Sequence, residues 1–157
     1  MDGPAHGAHL VLLQIGRTRV ALAQRAVRSL ESASDTDFTD PAGAALGTIA
    51  AAGARWPVFA LDDELAPLNV VPRHRRICAL LAAEGGSFGL LCDEAQVLPR
   101  AGRSTYPLPP AMRRAGSPVD GVVTLGSGVA LLASVRALAR ITGADNWFAT
   151  EHVVESA

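Results

Sequence analysis

Residues Gly47–Leu61 read G-T-I-A-A-A-G-A-R-W-P-V-F-A-L. A second stretch, Phe88–Val135, contains F-G-L-L-C-D-E-A-Q-V-L, Y-P-L-P-P-A-M and P-V-D-G-V-V-T-L-G-S-G-V-A-L-L-A-S-V. In both stretches, glycine, proline or small polar residues interrupt short apolar runs. This spacing is typical of many short strands rather than of long helices. The pattern therefore predicts an all-β fold.

Length and composition narrow the class of protein. The 157 residues suffice for one domain, or for two small barrels fused around a shared interior. Aromatic residues make up only 4% of the chain, so neither a base-stacking surface nor an aromatic sugar groove is expected. Fourteen Lys and Arg against fifteen Asp and Glu give a formal net charge of −1, which argues against binding to nucleic acid or anionic membranes.

The N-terminus and the apolar tracts indicate a cytoplasmic protein. The N-terminal stretch has Asp2 and no basic segment, and Leu10–Leu13 is too short for the apolar part of a signal peptide. Arg55 and Arg136 interrupt the longest apolar tracts, so no segment is predicted to span a bilayer.

Cys78 and Cys92 are the two cysteines of the chain. A two-residue turn at Gly85-Gly86 would place their sulfurs on opposite faces of a hairpin, whereas a three-residue turn would change that. We predict two buried free thiols, as expected in a reducing compartment.

The apolar runs predict four hairpins. Their strands are His9–Ile15 with Arg19–Ala23, Leu46–Ala51 with Trp56–Leu61, Arg76–Ala83 with Ser87–Asp93, and Val119–Leu125 with Val129–Ala133. Ser134 is a predicted N-cap for a short helix, Val135–Thr142, which ends at Gly143. Three further segments are predicted as a weak helical turn at Ala23–Leu30 and as loops at Ser32–Gly43 and Pro99–Pro110.

The motifs of common catalytic sites are missing from the sequence. Ser127 lies between Gly126 and Gly128, so the G-x-S-x-G pattern of a nucleophile elbow is not met. His6 and His9 lie too close to the terminus to form a rigid metal cage with Asp2. We therefore predict no catalytic residue, no metal site and no cofactor.

Three charged groups leave alternatives open. Asp62-Asp63-Glu64 fits a hydrated turn better than an acid–base pair. Asp93 either fixes the turn that follows its strand or faces a partner. Arg73-His74-Arg75-Arg76 is the basic cluster of the chain, either a solvated loop or a docking site for an acidic patch. A small enzyme or ligand-binding barrel would need Asp93, His74 or Asp62 to converge in a polar pocket between the barrels.

The ordered series of motifs resembles the CheW-like adaptors of bacterial chemosensory systems. That family carries a Gly-x-x-Asn-Leu-Arg-Gly stretch followed by a Pro-Val strand, and Gly47, Gly53, Pro57 and Val58 occupy the matching positions. Downstream, Gly89-Leu90-Leu91-Cys92-Asp93 resembles the family's Gly-x-x-Val-Asp strand. Further matches are Ala21-Leu22, Val27–Leu30, Val97, Pro107–Pro110 and Gly121.

The resemblance implies two five-stranded SH3-like β-barrels around a shared hydrophobic core, with a short C-terminal helix. Residues 9–142 would form a single CheW-like domain of two interleaved barrels, and residues 1–8 and 144–157 would be flexible or irregular termini. The implied function is a non-catalytic adaptor, monomeric or weakly self-associating. It would link the cytoplasmic tips of chemoreceptors to the regulatory domain of a CheA-type histidine kinase, with no nucleic acid and no membrane insertion.

The resemblance also implies an interaction surface, although the same glycines and valines could instead hold the barrels together. Its members on one barrel are Val27, Leu30, Gly47, Ile49, Ala52, Gly53 and Val58, and Val97 with Gly121 would form a second surface on the later barrel.

Two charged residues of the family pattern are replaced in this chain. Ala52 stands where the family has arginine, and Ser29 stands where it has glutamate. The loss of both charges leaves two interpretations, an adaptor specialised for another pathway such as pilus-based motility, or one that has lost kinase coupling and modulates receptor arrays. A subunit that only self-associates is a third hypothesis.

Overall fold

The computed structural model describes residues 9–39 and 43–156. Twelve strands and two helices lie in this part of the chain. The strands are β1 (His9–Ile15), β2 (Thr18–Ala23), β3 (Val27–Ser32), β4 (Thr36–Asp37), β5 (Gly47–Ala51), β6 (Ala54–Phe59), β7 (Ile77–Ala83), β8 (Gly86–Cys92), β9 (Glu94–Pro99), β10 (Thr105–Pro107), β11 (Val119–Leu125) and β12 (Gly128–Ala133). The helices are α1 (Val135–Thr142) and α2 (Ala144–Ser156).

The strands form two sheets of the same pattern. One has the order β10-β11-β12-β2-β1-β9, and we call it barrel I. The other has the order β3-β7-β8-β6-β5-β4, and we call it barrel II. Each sheet contains five strands of at least five residues and one short edge strand, β10 or β4. Since a short connection joins the two edge strands of each sheet, β9 to β10 and β3 to β4, each sheet curls back on itself. The predicted pair of five-stranded β-barrels is confirmed.

The two barrels repeat one arrangement with an exchange of hairpins. Strands β1–β6 and β7–β12 correspond in sequence order, and reversing the order of barrel II aligns it with barrel I position by position. The hairpin β1–β2 pairs with β9–β12, however, and the hairpin β7–β8 pairs with β3–β6. In each barrel the exchanged hairpin attaches by a short parallel pairing, β12 with β2 and β6 with β8. Neither half of the chain therefore builds a barrel from its own strands.

Gly47 and Gly121 show how closely the two halves correspond. An added Cβ at Gly47 would lie 2.2 Å from the backbone oxygen of Asp37 in β4. The same atom at Gly121 would lie 2.7 Å from the backbone oxygen of Tyr106 in β10. Both glycines are buried where a short edge strand crosses its neighbour, so only a residue without a side chain fits there.

The hydrophobic core consists of one cluster shared by both barrels and one smaller cluster inside each barrel. The shared cluster joins β1 and β2 of barrel I to β6–β8 of barrel II and to both helices, with Leu13, Leu81, Phe88 and Leu138 among its members. Smaller clusters fill barrel II, around Ile49, and barrel I, around Leu10. Because successive side chains of a strand face opposite ways, β1 supplies Leu10 to one cluster and Leu13 to another.

The predicted hairpins and the first helix agree with the structure. Strands β1, β7, β8, β11 and β12 lie within about a residue of their predicted bounds. Ser134 caps α1, since its Oγ accepts a hydrogen bond from the backbone N–H of Ala137 at 3.1 Å. Gly143 ends the helix in the left-handed conformation, with φ 95°.

The structure corrects several local predictions, since the predicted loops Ser32–Gly43 and Pro99–Pro110 contain the short strands β4 and β10. Ala23–Leu30 is not a helical turn, because a 3₁₀ turn at Gln24–Ala26 leads directly into β3. Residues 94–99, which had no predicted element, form β9. Residues 144–156 are helical rather than irregular, since Trp147 and Phe148 pack against the shared cluster. The predicted flexible segment 1–8 lies outside the described residues, as do residues 40–42 of the predicted loop. Neither α1 nor the described length of α2 is long and apolar enough to cross a membrane.

The two cysteines lie on opposite faces of the β7–β8 hairpin, although the register differs from the predicted one. Ala83 pairs with Gly86, so the turn is Glu84-Gly85 and Cys78 pairs with Leu91. Both thiols are buried and free, as predicted. Cys78 belongs to the core of barrel II, and Cys92 belongs to the shared cluster.

The tight turn between β5 and β6 gives a first testable prediction. Ala51 pairs with Ala54, so the turn residues are Ala52 at φ 53° and Gly53 at φ 79°. Because alanine is strained in the left-handed region, we expect Ala52→Gly to stabilise the fold by about 0.5–1 kcal/mol. Ala50→Gly in the adjoining strand is the matched control and should be destabilising by a similar amount. Urea unfolding of the three proteins measures the difference, and a lower midpoint for Ala52→Gly would contradict the prediction.

Candidate functional site

The nine residues of the predicted interaction surface fall into two groups. Those exposed to solvent are Leu30, Ala52, Gly53 and Val97, and those buried or partly buried are Val27, Gly47, Ile49, Val58 and Gly121. The side chains of the first group are accessible to a partner, and that of Val27 is accessible in part.

Ile49 and Val58 are structural residues, which corrects the predicted contact role of their side chains. They are 1% and 0% exposed, and both belong to the core of barrel II. Gly47 and Gly121 permit the close strand crossings described above. These four positions are buried and shape the two barrels.

Val27 has an intermediate position. Its side chain is half-buried and packs against the shared cluster, and the pairing of β3 with β7 shifts register between Val27 and Ser29. A polar substitution at Val27 would disturb the core as well as any interface, so this residue is a poor probe of binding.

Leu30 and Val97 are the two exposed apolar residues of the predicted surface. Leu30 is 43% exposed on β3, which lies at the end of its sheet beside β7. Val97 is 46% exposed on β9, which lies at the end of its sheet beside β1. Both therefore lie on edge strands, one in each barrel.

The strand registers make Leu30 and Val97 equivalent under the exchange of halves. Leu30 pairs with Ala79, which pairs with Leu90 of β8. Val97 pairs with Val11, which pairs with Leu22 of β2. Gly89 in barrel II and Ala21 in barrel I make the parallel contact opposite the close-packed glycine of their barrel, Gly47 or Gly121. Leu90 follows Gly89, and Leu22 follows Ala21. The protein thus presents an apolar side chain at the same position of both barrels.

Beside the tip of the β5–β6 hairpin lies a small polar cluster that the sequence patterns did not reveal. Arg55 Nη2 donates a hydrogen bond to Thr48 Oγ1 at 2.8 Å and lies 3.6 Å from Asp37 Oδ2. Hydrogen bonds from the hydroxyl and the backbone N–H of Thr39 lower the pKa of Asp37. Arg55 therefore supplies a cationic group to this hairpin. It lies three residues after Ala52, which stands where the family pattern has arginine. In the sequence Arg55 is an isolated charge, so no local pattern predicted this cluster.

Asp93 forms a buried ion pair with Arg75. Arg75 Nη1 donates to Asp93 Oδ1 at 2.7 Å, and the guanidinium is only 6% exposed. Arg75 Nη2 donates to the backbone oxygen of Leu61 at 2.8 Å. Asp93 therefore has a structural contact, but with the side chain of Arg75 rather than with the turn that follows its strand. One residue of the predicted basic cluster is therefore internal.

Asp62 and Asp63 also have structural contacts. Asp62 Oδ1 accepts hydrogen bonds from the backbone N–H groups of Glu64 and Ala66 at 2.8 and 2.9 Å. Asp63 Oδ1 accepts one from the backbone N–H of Arg17 at 3.1 Å, in the β1–β2 turn. Asp62 thus fixes the turn after β6, and Asp63 ties this turn to the β1–β2 turn of barrel I. Within the described residues, the cluster shared by the two barrels is apolar, and Asp62, His74 and Asp93 do not belong to it.

The two thiols have no reactive environment. Burial raises the pKa of both Cys78 and Cys92 to about 12. At neutral pH both remain protonated, and the thiol is a weak nucleophile. Within residues 9–39 and 43–150, no group of three His, Cys, Asp or Glu side chains is placed to hold a metal ion.

The architecture defines a class of protein, two SH3-like barrels packed on a common core with a C-terminal helical segment. It is similar to the crystal structure of the scaffolding protein TtCheW from Thermoanaerobacter tengcongensis, with a TM-score of 0.65. The two share 18% sequence identity over 83% of this chain and 91% of that chain. The fold implied by the sequence resemblance is therefore confirmed. No family model matches this chain, and neither does any curated protein sequence.

Proposed function

We propose that this protein is a non-catalytic cytoplasmic adaptor that couples chemoreceptors to a CheA-type histidine kinase in a bacterial chemosensory pathway. The observation that carries the proposal is the likeness to a scaffolding protein over 83% of the chain. The ordered motif series from residue 9 to residue 142 supports the same family independently of the coordinates.

Two equivalent apolar positions support a bridging role. Leu30 on barrel II and Val97 on barrel I present similar side chains on edge strands. An adaptor needs at least two faces, and interfaces of this kind are small, near the low end of about 1,200–2,000 Å². Weak individual contacts gain strength when many copies act together in an array.

The replaced charges support a specialised adaptor, with a receptor-array modulator as the second candidate. Ala52 and Ser29 lack the charges of the family pattern, while the glycine positions that build both barrels are intact. A partner in a pathway such as type IV pilus motility would then lack the complementary charges. A modulator would bind receptors without binding the kinase, so the two candidates differ in one measurable contact.

The proposal predicts that charge at Leu30 or Val97 weakens binding. We expect Leu30→Asp and Val97→Asp each to reduce affinity for one purified partner about tenfold or more, because a carboxylate would be desolvated inside an apolar contact. The partners are the kinase regulatory domains and receptor cytoplasmic hairpins encoded in the same genome, measured by calorimetry.

Val129→Asp is the matched control, since Val129 is 51% exposed on β12 outside the proposed surface. Thermal melting of all variants checks that the fold is intact. Wild-type affinity for every partner in both edge-strand variants would remove these residues from the site. Receptor binding without kinase binding by the wild-type protein would select the array modulator.

A further inference from the structure

The connection between β6 and β7 is fixed at both ends and exposed in the middle. Near its start, the backbone N–H of Leu68 donates to the oxygen of Ala60 at 2.9 Å, and Leu68 packs against the core of barrel II. Near its end, Arg75 is held by Asp93 and by the oxygen of Leu61. Residues 69–74 therefore project from two rigid supports.

Two adjacent apolar side chains lie in this exposed stretch. Val70 is 64% exposed and Val71 is 45% exposed, and Pro72 follows them. Val70 is among the most exposed large hydrophobic residues of the described chain. Single exposed apolar side chains are common, but a neighbouring pair on a fixed loop forms a small apolar patch.

Basic side chains border the patch directly. Arg73, His74 and Arg76 are exposed, whereas Arg75 between them is turned inward to Asp93. Among the described residues, neither Arg73 nor Arg76 forms an ion pair. Their charges therefore remain unneutralised beside Val70 and Val71.

The local backbone holds these groups in place before any partner arrives. His74 has φ 69°, a left-handed conformation that is strained for a residue with a side chain. The backbone N–H of Ala33 donates to the oxygen of Arg76 at 2.9 Å, which fixes the end of the stretch against the 3₁₀ turn after β3. A surface that is already ordered loses little conformational entropy on binding.

We propose that Val70, Val71, Arg73, His74 and Arg76 form a docking surface for an acidic, amphipathic segment of a partner protein. The valines accept apolar side chains, and the two unpaired arginines face carboxylates. A single-stranded nucleic acid would need aromatic stacking platforms, and the described loop offers none. Stable binding to an anionic bilayer would need a longer basic run than this loop contains. Charge complementarity therefore favours a protein segment.

This inference rests on the proposed adaptor function, because the kinase regulatory domain and the receptor hairpin of the same genome serve as the probes. Binding is measured for the wild-type protein and for Arg73→Glu/Arg76→Glu at low and high salt. We expect the double charge reversal to weaken binding of one probe about tenfold or more at low salt and to reduce its salt dependence.

Arg100→Glu/Arg114→Glu is the control, since it makes the same change of charge at two other exposed arginines. We expect it to bind like the wild-type protein. If wild-type protein binds a probe and Arg73→Glu/Arg76→Glu binds it equally well, the docking surface is wrong and the adaptor function stands. If wild-type protein binds neither probe, both proposals fail.

A cross-linking experiment identifies what lies on the surface. Because Cys78 and Cys92 are buried, a photoreactive maleimide on Val71→Cys labels a single position. Cross-links to an acidic segment of the probe, absent from a Val129→Cys control, support the proposal. Cross-links to a neutral or basic segment contradict it, as would retention of wild-type protein, but not the double variant, on phosphatidylserine vesicles.

Discussion

Replacing Gly47 with alanine should destabilise the protein by about 3 kcal/mol, which corresponds to a fall of about 6–12 °C in melting temperature. The added Cβ would lie 2.2 Å from the backbone oxygen of Asp37 and 3.0 Å from the Cα of Phe38. Both neighbours are backbone atoms, so no side-chain rotation relieves the contact. Strand β4 must move away from β5, and the closure of barrel II then weakens.

Two other glycines make this experiment quantitative. Gly121→Ala tests the equivalent position of barrel I, where the contact distance is 2.7 Å, so we expect a smaller loss of stability in the same direction. Gly126→Ala is the control, because an added Cβ there has no neighbour within 4 Å. A melting temperature for Gly47→Ala equal to that of Gly126→Ala would show that the strand crossing is not close-packed.

Asp93→Ala should destabilise the protein about as much as Gly47→Ala does, by about 3–5 kcal/mol. The substitution leaves the buried guanidinium of Arg75 without its counter-ion. Arg75 is 6% exposed, and its Nε already has no partner within the described residues. Its remaining contact is the hydrogen bond to the backbone oxygen of Leu61.

Arg75→Met should lower the free energy of unfolding less than Asp93→Ala does, since the carboxylate of Asp93 is 23% exposed and can be hydrated. The double variant removes both charges, so its loss of stability should be smaller than the sum of the losses in the two single variants. Urea unfolding of the four proteins in this cycle gives the coupling free energy. Additive losses would mean that the ion pair contributes nothing beyond its separate side chains.

Local patterns in the sequence were enough to predict the hairpins and the first helix. Glycine-containing turns between apolar runs located β7 with β8 and β11 with β12, and Ser134 with Gly143 marked both ends of α1. These signals depend on residues close together in the chain. The exchange of hairpins between the halves depends on pairings such as β1 with β9, which no local pattern records.

The elements that were missed owe their structure to tertiary contacts. The apolar residues of Ala23–Leu30 fit a helical period, but pairing with β7 along its length makes Val27–Ser32 a strand. Helix α2 has no clear apolar face in its sequence, and the packing of Phe148 against Gly85 and Gly86 holds its first turns.

The candidate site was predicted only in part, because tertiary contacts decide which side chains are buried. The pattern located the strands that carry it, but it did not say which face of each strand points inward. Ile49 and Val58 therefore entered the predicted surface although they are core residues, while Leu30 and Val97 are exposed. The burial of Arg75 beside exposed Arg73 and Arg76 likewise depends on Asp93, eighteen residues away in the chain.

Sedimentation velocity on a three-component mixture tests the adaptor proposal most directly. The components are this protein, the regulatory domain of a CheA-type kinase and a receptor cytoplasmic hairpin from the same genome. We expect the kinase domain and the receptor to sediment together only when this protein is present. If the protein sediments alone with either component at every concentration, the two barrels do not tether signalling partners.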